Sequence, residues 1–149
     1  MADRFRRYLR RCWCRPRDDG DAQPRVVAGG RDPSFEIYSP PYIFQSRPQI
    51  TTAPATVTLG SSFNVISPTA STIQAALLVR RTSTTHVVDG DQRAVYLPIT
   101  GVNGNQMTLS MPSNPAVVVP GEYLLFLEKS DGHGGQIPSV SAPILVSGS

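Results

Sequence analysis

The chain has 149 residues, 40% hydrophobic and 7% aromatic, with 12 Gly, 14 Pro and two Cys, which suits one domain with a sizeable core. Its formal charge of +3 hides an asymmetry: the first 31 residues hold nine Arg against four Asp, the rest four Arg and one Lys against seven acids. The downstream part is near neutral, which argues against a nucleic-acid-binding face on it.

Both cysteines, Cys12 and Cys14, sit in the Arg-rich head, so the body is neither a disulfide scaffold nor a conventional zinc site. No run approaches the roughly 18 apolar residues that a membrane-crossing helix needs, so no membrane partner is expected. The basic start lacks an apolar core segment, and no secretory signal is read.

In chain order, residues 1–24 form an Arg-rich arm with seven Arg in its first seventeen positions. Like-charge blocks repel and ordering costs entropy, so the arm is expected to be poorly ordered. Phe5, Tyr8, Leu9 and Trp13 have the spacing of one face of a short helix, and phosphate or anionic lipid would be the Arg-seeking partners. From Val26 the texture turns to short β-branched and aromatic runs between turn residues. Strands are expected at Phe35–Tyr38, Thr56–Leu59, Phe63–Ile66, Ile73–Val79, Ala94–Leu97, Met107–Met111, Tyr123–Leu127 and Ala142–Val146. Turns are expected at Asp89-Gly90-Asp91, Gly101 to Asn105, Pro120-Gly121 and Asp131-Gly132. Ile73–Val79 is too short for a typical helix and reads as a central strand buried on both faces. Pro120 has no N–H for a ladder, so the following strand begins after it, and Tyr123 stands where a tyrosine corner would. The fold class is all-β, an immunoglobulin-like antiparallel sandwich.

Groups able to do chemistry are few. His133, in Asp131-Gly132-His133-Gly134-Gly135, reads as a solvated loop residue. Asp89, Asp91 and Arg93 read as a charged, hydrogen-bonded turn with Arg93 paired to one of the two acids. No Gly-rich phosphate loop is present, since Val27-Ala28-Gly29-Gly30 is not a dinucleotide fingerprint. His86 follows four hydroxyl residues, Thr82 to Thr85, that can stiffen a loop. An imidazole on a stiff loop is a good metal ligand, though one histidine is not a site.

The segment Leu78-Val79-Arg80-Arg81-Thr82-Ser83-Thr84-Thr85-His86-Val87-Val88-Asp89-Gly90-Asp91-Gln92-Arg93 resembles the "LVR…TH…DQR" signature of the C-terminal domain of galactose oxidase and glyoxal oxidase, the radical copper oxidases. Phe35 to Phe44 resembles the approach to that domain, and Arg47-Pro48-Gln49-Ile50 its first strand. Pro120 to Phe126 resembles the "PPGYYMLF" strand, and Ile137 to Ser141 the closing "G-x-PS-x-A". Arg25 to Gly30 looks like the last blade strand of a preceding propeller.

The resemblance implies an early set sandwich over 47–149, with 25–46 as propeller remnant and lead-in. It also implies that His86 is a copper ligand, docked by its loop onto a kelch-type propeller that carries the other ligands. Those others, a Tyr-His pair and a radical tyrosine crosslinked to cysteine, have no counterpart in Met1 to Pro24. The expectation is thus a non-catalytic module, a fragment or shortened family member with no catalytic residue of its own. Two alternatives stand beside it. One is a peroxide-producing alcohol or aldehyde oxidase completed by a propeller in trans; the other is a carbohydrate- or protein-binding module using Tyr38, Tyr42 or Tyr96. An apolar docking face is expected beside 82–93 and near Ser39 to Tyr42. Family members are typically secreted.

Overall fold

The computed structural model of the protein describes residues 38–81, 84–86 and 88–148, with backbone alone at Thr84, Thr85 and Val88. The expected arm, the blade strand at Arg25 to Gly30 and nearly all of Phe35–Tyr38 lie outside these residues. All the strands among the described residues lie within the unit Tyr42–Ser149.

Alternation of apolar and polar residues dictates short strands, and eleven form among the described residues. They are β1 (Thr56–Thr58), β2 (Ser62–Ile66), β3 (Ala75–Arg80), β4 (Thr84–Thr85), β5 (Val88–Asp89), β6 (Ala94–Leu97), β7 (Ile99–Asn103), β8 (Gln106–Ser110), β9 (Gly121–Ser130), β10 (Gln136–Pro138) and β11 (Ala142–Ser147). The larger sheet runs β1-β11-β9-β3-β6 with β10 alongside β9, the smaller β2-β8-β7, and β4-β5 is a separate hairpin. Pairing is antiparallel except for β1 on β11, which is parallel. The all-β sandwich is as expected.

The inward residues of both sheets meet in one core: Phe63, Val65, Met107 and Leu109 from the smaller, Ala76, Leu78, Tyr123, Leu125, Leu127, Ile144 and Val146 from the larger. Each fully buried Leu there is worth roughly 2–3 kcal/mol of transfer free energy.

Three expectations need correction, and one strand was not expected. The run from Ile73 is not buried on both faces: Ala76 and Leu78 are fully buried, while Leu77 and Val79 on the outer face are half-buried. It lies beside β6, and the ten-residue β9 takes the middle of the sheet. Arg47 to Ile50 is not a strand; Pro48 is buried, and Arg47 donates to the carbonyls of Pro138 (2.8 Å) and Ser139 (2.5 Å). Of Gly101 to Asn105, the first three residues belong to strand β7 and the turn is Gly104-Asn105, with Gly104 at φ 57°. Residues 136–138 form β10, which pairs with the far half of β9. Where β10 stops and β11 has not begun, buried Ser139 bridges the gap, its hydroxyl accepting from Leu127 N–H at 3.0 Å.

Candidate functional site

β3 ends on Arg80 with Arg81 just beyond it, β6 opens just after Arg93, and between them the chain leaves the larger sheet as a projecting loop. β4 and β5 pair Thr84 with Asp89 and Thr85 with Val88, so His86 opens a two-residue tip. Its φ of 53° is left-handed, as tight hairpin tips of this length require and as histidine tolerates better than most side chains. The His86 side chain is exposed.

The base of the loop is held by contacts that are distant in sequence. Arg80 N–H donates to Arg93 O (2.8 Å) and Arg81 N–H to Glu122 O (3.0 Å), so the sheet extends into the loop's first residue. The Arg80 side chain pairs through Nε with Asp91 Oδ2 at 2.6 Å and reaches Val119 O through Nη1 at 3.3 Å. Its guanidinium lies 5.7 Å from the centre of the Tyr123 ring. Arg93 donates to the carbonyls of Ala116 (2.7 Å) and Val117 (3.0 Å). For Asp91 the expected pairing with Arg93 is corrected: Arg80 takes Asp91, and Arg93 reaches the 116–117 backbone.

Residues 116–119 are held in turn by Tyr123, fully buried, whose hydroxyl donates to Val119 O at 2.8 Å. That is the tyrosine corner expected from Pro120-Gly121-Glu122-Tyr123. The role of Arg80 is one that sequence reasoning misses; the available signal is a charged residue ending an otherwise apolar strand.

Among the described residues no three of His, Cys, Asp or Glu come together as a metal-holding group. His133 is exposed at the β9–β10 tip, where Asp131 Oδ1 accepts from the N–H groups of His133 (2.7 Å) and Gly135 (2.8 Å). Those bonds hold the Asp131 carboxyl below its usual range. Tyr42 lies under the Arg47 guanidinium, 5.6 Å from ring centre to cation, and Tyr96 is exposed with its hydroxyl on Glu128. Glu128 is 8% exposed, its Oε2 has no hydrogen-bond partner, and burial raises its carboxyl above the usual value against that Tyr96 bond.

The galactose oxidase-like, early set domain family model matches residues 47–146. The chain belongs to that family. Two curated galactose oxidases, one from Gibberella zeae and one from a named strain of the same fungus, are each 35% identical to this early set domain chain over 118 residues, 74% of its length. It spans 16% of either relative. Among solved structures, a fungal alcohol oxidase of the AA5 family in complex with copper superposes with a TM-score of 0.63 at 29% identity, covering 73% of this chain and 24% of that one.

Proposed function

We propose that this early set domain is non-catalytic by itself and supplies one ligand, His86, to a copper centre of the galactose oxidase type whose other donors lie on a kelch-type propeller. The observation that carries the reading is an exposed imidazole at the tip of a hairpin that leaves the sheet and is tied down at its base. A neutral imidazole binds copper through one ring nitrogen. Because no metal-holding cluster exists among the described residues, further donors come from outside them. Copper, when bound, supplies the one-electron chemistry that couples oxidation of an alcohol or aldehyde to reduction of dioxygen to hydrogen peroxide.

Docking of a propeller is supported by apolar surface close to the loop. The outer face of the larger sheet carries Leu77, Val79, Leu124 and Phe126, half-buried, with Tyr96 exposed, and Val117 is exposed at the loop's base.

The purified chain, given copper(II), dioxygen and galactose or a small aldehyde, is expected to release no peroxide. Sustained turnover would overturn the non-catalytic half of the proposal. With a propeller polypeptide added, copper uptake by the mixture should fall when His86→Ala replaces the wild-type chain. Unchanged uptake would overturn the ligand half.

A further inference from the structure

A hairpin whose two strands have two residues each is too short to hold itself in one place, because isolated two-stranded ribbons are marginal even at greater length. Contacts where the loop meets the body therefore bear on the direction in which His86 points. Three arginines grip there, and they differ in what they hold. Arg81 pairs with Glu122 at 3.2 Å, but both side chains are about two-thirds exposed, and such a pair contributes little. Arg93 ties the outgoing arm to the carbonyls of Ala116 and Val117.

Arg80 alone among the three joins both arms of the loop to the core. It belongs to the incoming strand, its Nε holds Asp91 on the outgoing arm, its Nη1 reaches Val119 O, and its cation rests against the Tyr123 ring. The Arg80 side chain is only 17% exposed, against 67% for Arg81, although its partner Asp91 is 56% exposed. The same Val119 carbonyl accepts from Tyr123, so arginine and corner tyrosine share one anchor. Gly121 leaves room for this: a Cβ there would come within 3.3 Å of the Arg80 guanidinium.

We infer that Arg80 is a positioning residue for the His86 hairpin, transmitting the rigidity of the tyrosine corner to the tip through Asp91. The inference deepens the copper-ligand reading and rests on it for its functional meaning. A planar fork is needed to hold a carboxylate and a carbonyl in different directions while stacking on a ring, and lysine has only a point charge to offer.

The test uses the full chain without metal. Amide hydrogen exchange and backbone order parameters are compared for wild type, Arg80→Met, Arg80→Lys and Asp91→Asn. In Arg80→Met the amides of residues 84–89 should exchange at least tenfold faster, and the order parameter at His86 should fall from about 0.85 to below about 0.6. Amides of β8 and β11 should keep their rates, and Arg80→Lys should fall in between. Asp91→Asn, which leaves the corner intact, should loosen the hairpin alone, and it serves if Arg80→Met does not fold. Unchanged hairpin rates in Arg80→Met and Asp91→Asn would overturn the inference. So would an acceleration spread equally over β8 and β11, because that is loss of stability without positioning. His86→Asn, which keeps a residue at home in the left-handed region, should lower copper uptake in the mixture with a propeller. If uptake does not fall, the metal reading is overturned and the positioning role of Arg80 stands.

Discussion

Two hairpin tips carry the two histidines, and the contacts that anchor them to the body differ. The tip between β9 and β10 is self-sufficient. Asp131 accepts from His133 and Gly135, its own N–H donates to Gly135 O at 3.1 Å, Ser130 takes the Gly132 N–H, and Gly132 and Gly134 adopt positive φ. Every one of those partners lies within four residues. The base of the loop that carries His86 is tied across the loop, from Arg80 to Asp91, and also to residues 23 to 41 positions away: Arg93 on Ala116, Arg80 on Val119, Arg81 on Glu122. A loop that only reverses the chain can take its geometry from local turn chemistry. One whose side chain must be aimed has to take it from the body, because only the body fixes a direction in space.

The sharpest way to break this contrast is at the shared anchor. Tyr123→Phe keeps the ring and removes the hydroxyl from a fully buried site, leaving Val119 O to Arg80 alone. Stability in urea should fall by about 1–3 kcal/mol, with hairpin amides 84–89 loosened and amides 132–135 exchanging as before relative to global opening. Equal loosening of both tips would show that the corner serves the fold and favours neither loop. A somewhat smaller effect, about 1 kcal/mol, is expected for Gly121→Ala, where φ is 147° and a Cβ would press on Arg80. Its discriminating readout is again the His86 hairpin, which should lose protection while the Asp131 turn does not.

Legibility in the sequence divides in the same way between local and distant causes. The tyrosine corner is legible because Pro120, Gly121 and Tyr123 are neighbours, and β9 starts at Gly121 as the missing N–H of Pro120 requires. The Asp131 turn is legible in outline, although the Gly-rich composition conceals how firmly the Asp131 carboxylate organises it. β7 is hidden because Gly101, Asn103 and Gly104 read as turn residues, whereas Gly101 sits at a register shift in a strand that continues to Asn103. Arg47 to Ile50 reads as a strand because nothing in Arg-Pro-Gln-Ile reveals that Arg47 binds carbonyls some ninety residues on. Proximity in sequence pairs Arg93 with the nearest acids. Its partners are backbone carbonyls, which every residue carries, so no pattern of residue types marks them. His86 stands out through a motif, and its exposed place in the left-handed region at a hairpin tip is visible only in three dimensions.

Glu128 tests whether stabilising the strand that feeds the His133 tip reaches either tip. Its carboxyl is raised above the ordinary value of 4.5 by burial. The folded state therefore favours the neutral acid, and that advantage holds below 4.5 and is lost as pH rises through the raised value. Above that value the ionised, half-satisfied group costs stability. Glu128→Gln should accordingly raise stability at neutral pH by about 1 kcal/mol, and the gain should shrink toward pH 4.5. A gain equal at both pH values would rule out burial of the charge as its cause. Both tips should keep their exchange rates relative to global opening.

The smallest effect belongs to the self-built tip. Asp131 lies below its ordinary value of 3.8 because the His133 and Gly135 N–H groups favour its charged form. Its contribution is present above 3.8 and is lost as pH falls through the depressed value. The group is exposed, so Asp131→Ala should leave Tm unchanged within error while amides 133 and 135 exchange faster, and the wild-type turn should loosen in the same way below pH 3.8. The His86 hairpin has no part in that turn and should not respond to either change. A response there would mean that the two tips share support, and that the direction of His86 is not the property of Arg80 and the tyrosine corner alone.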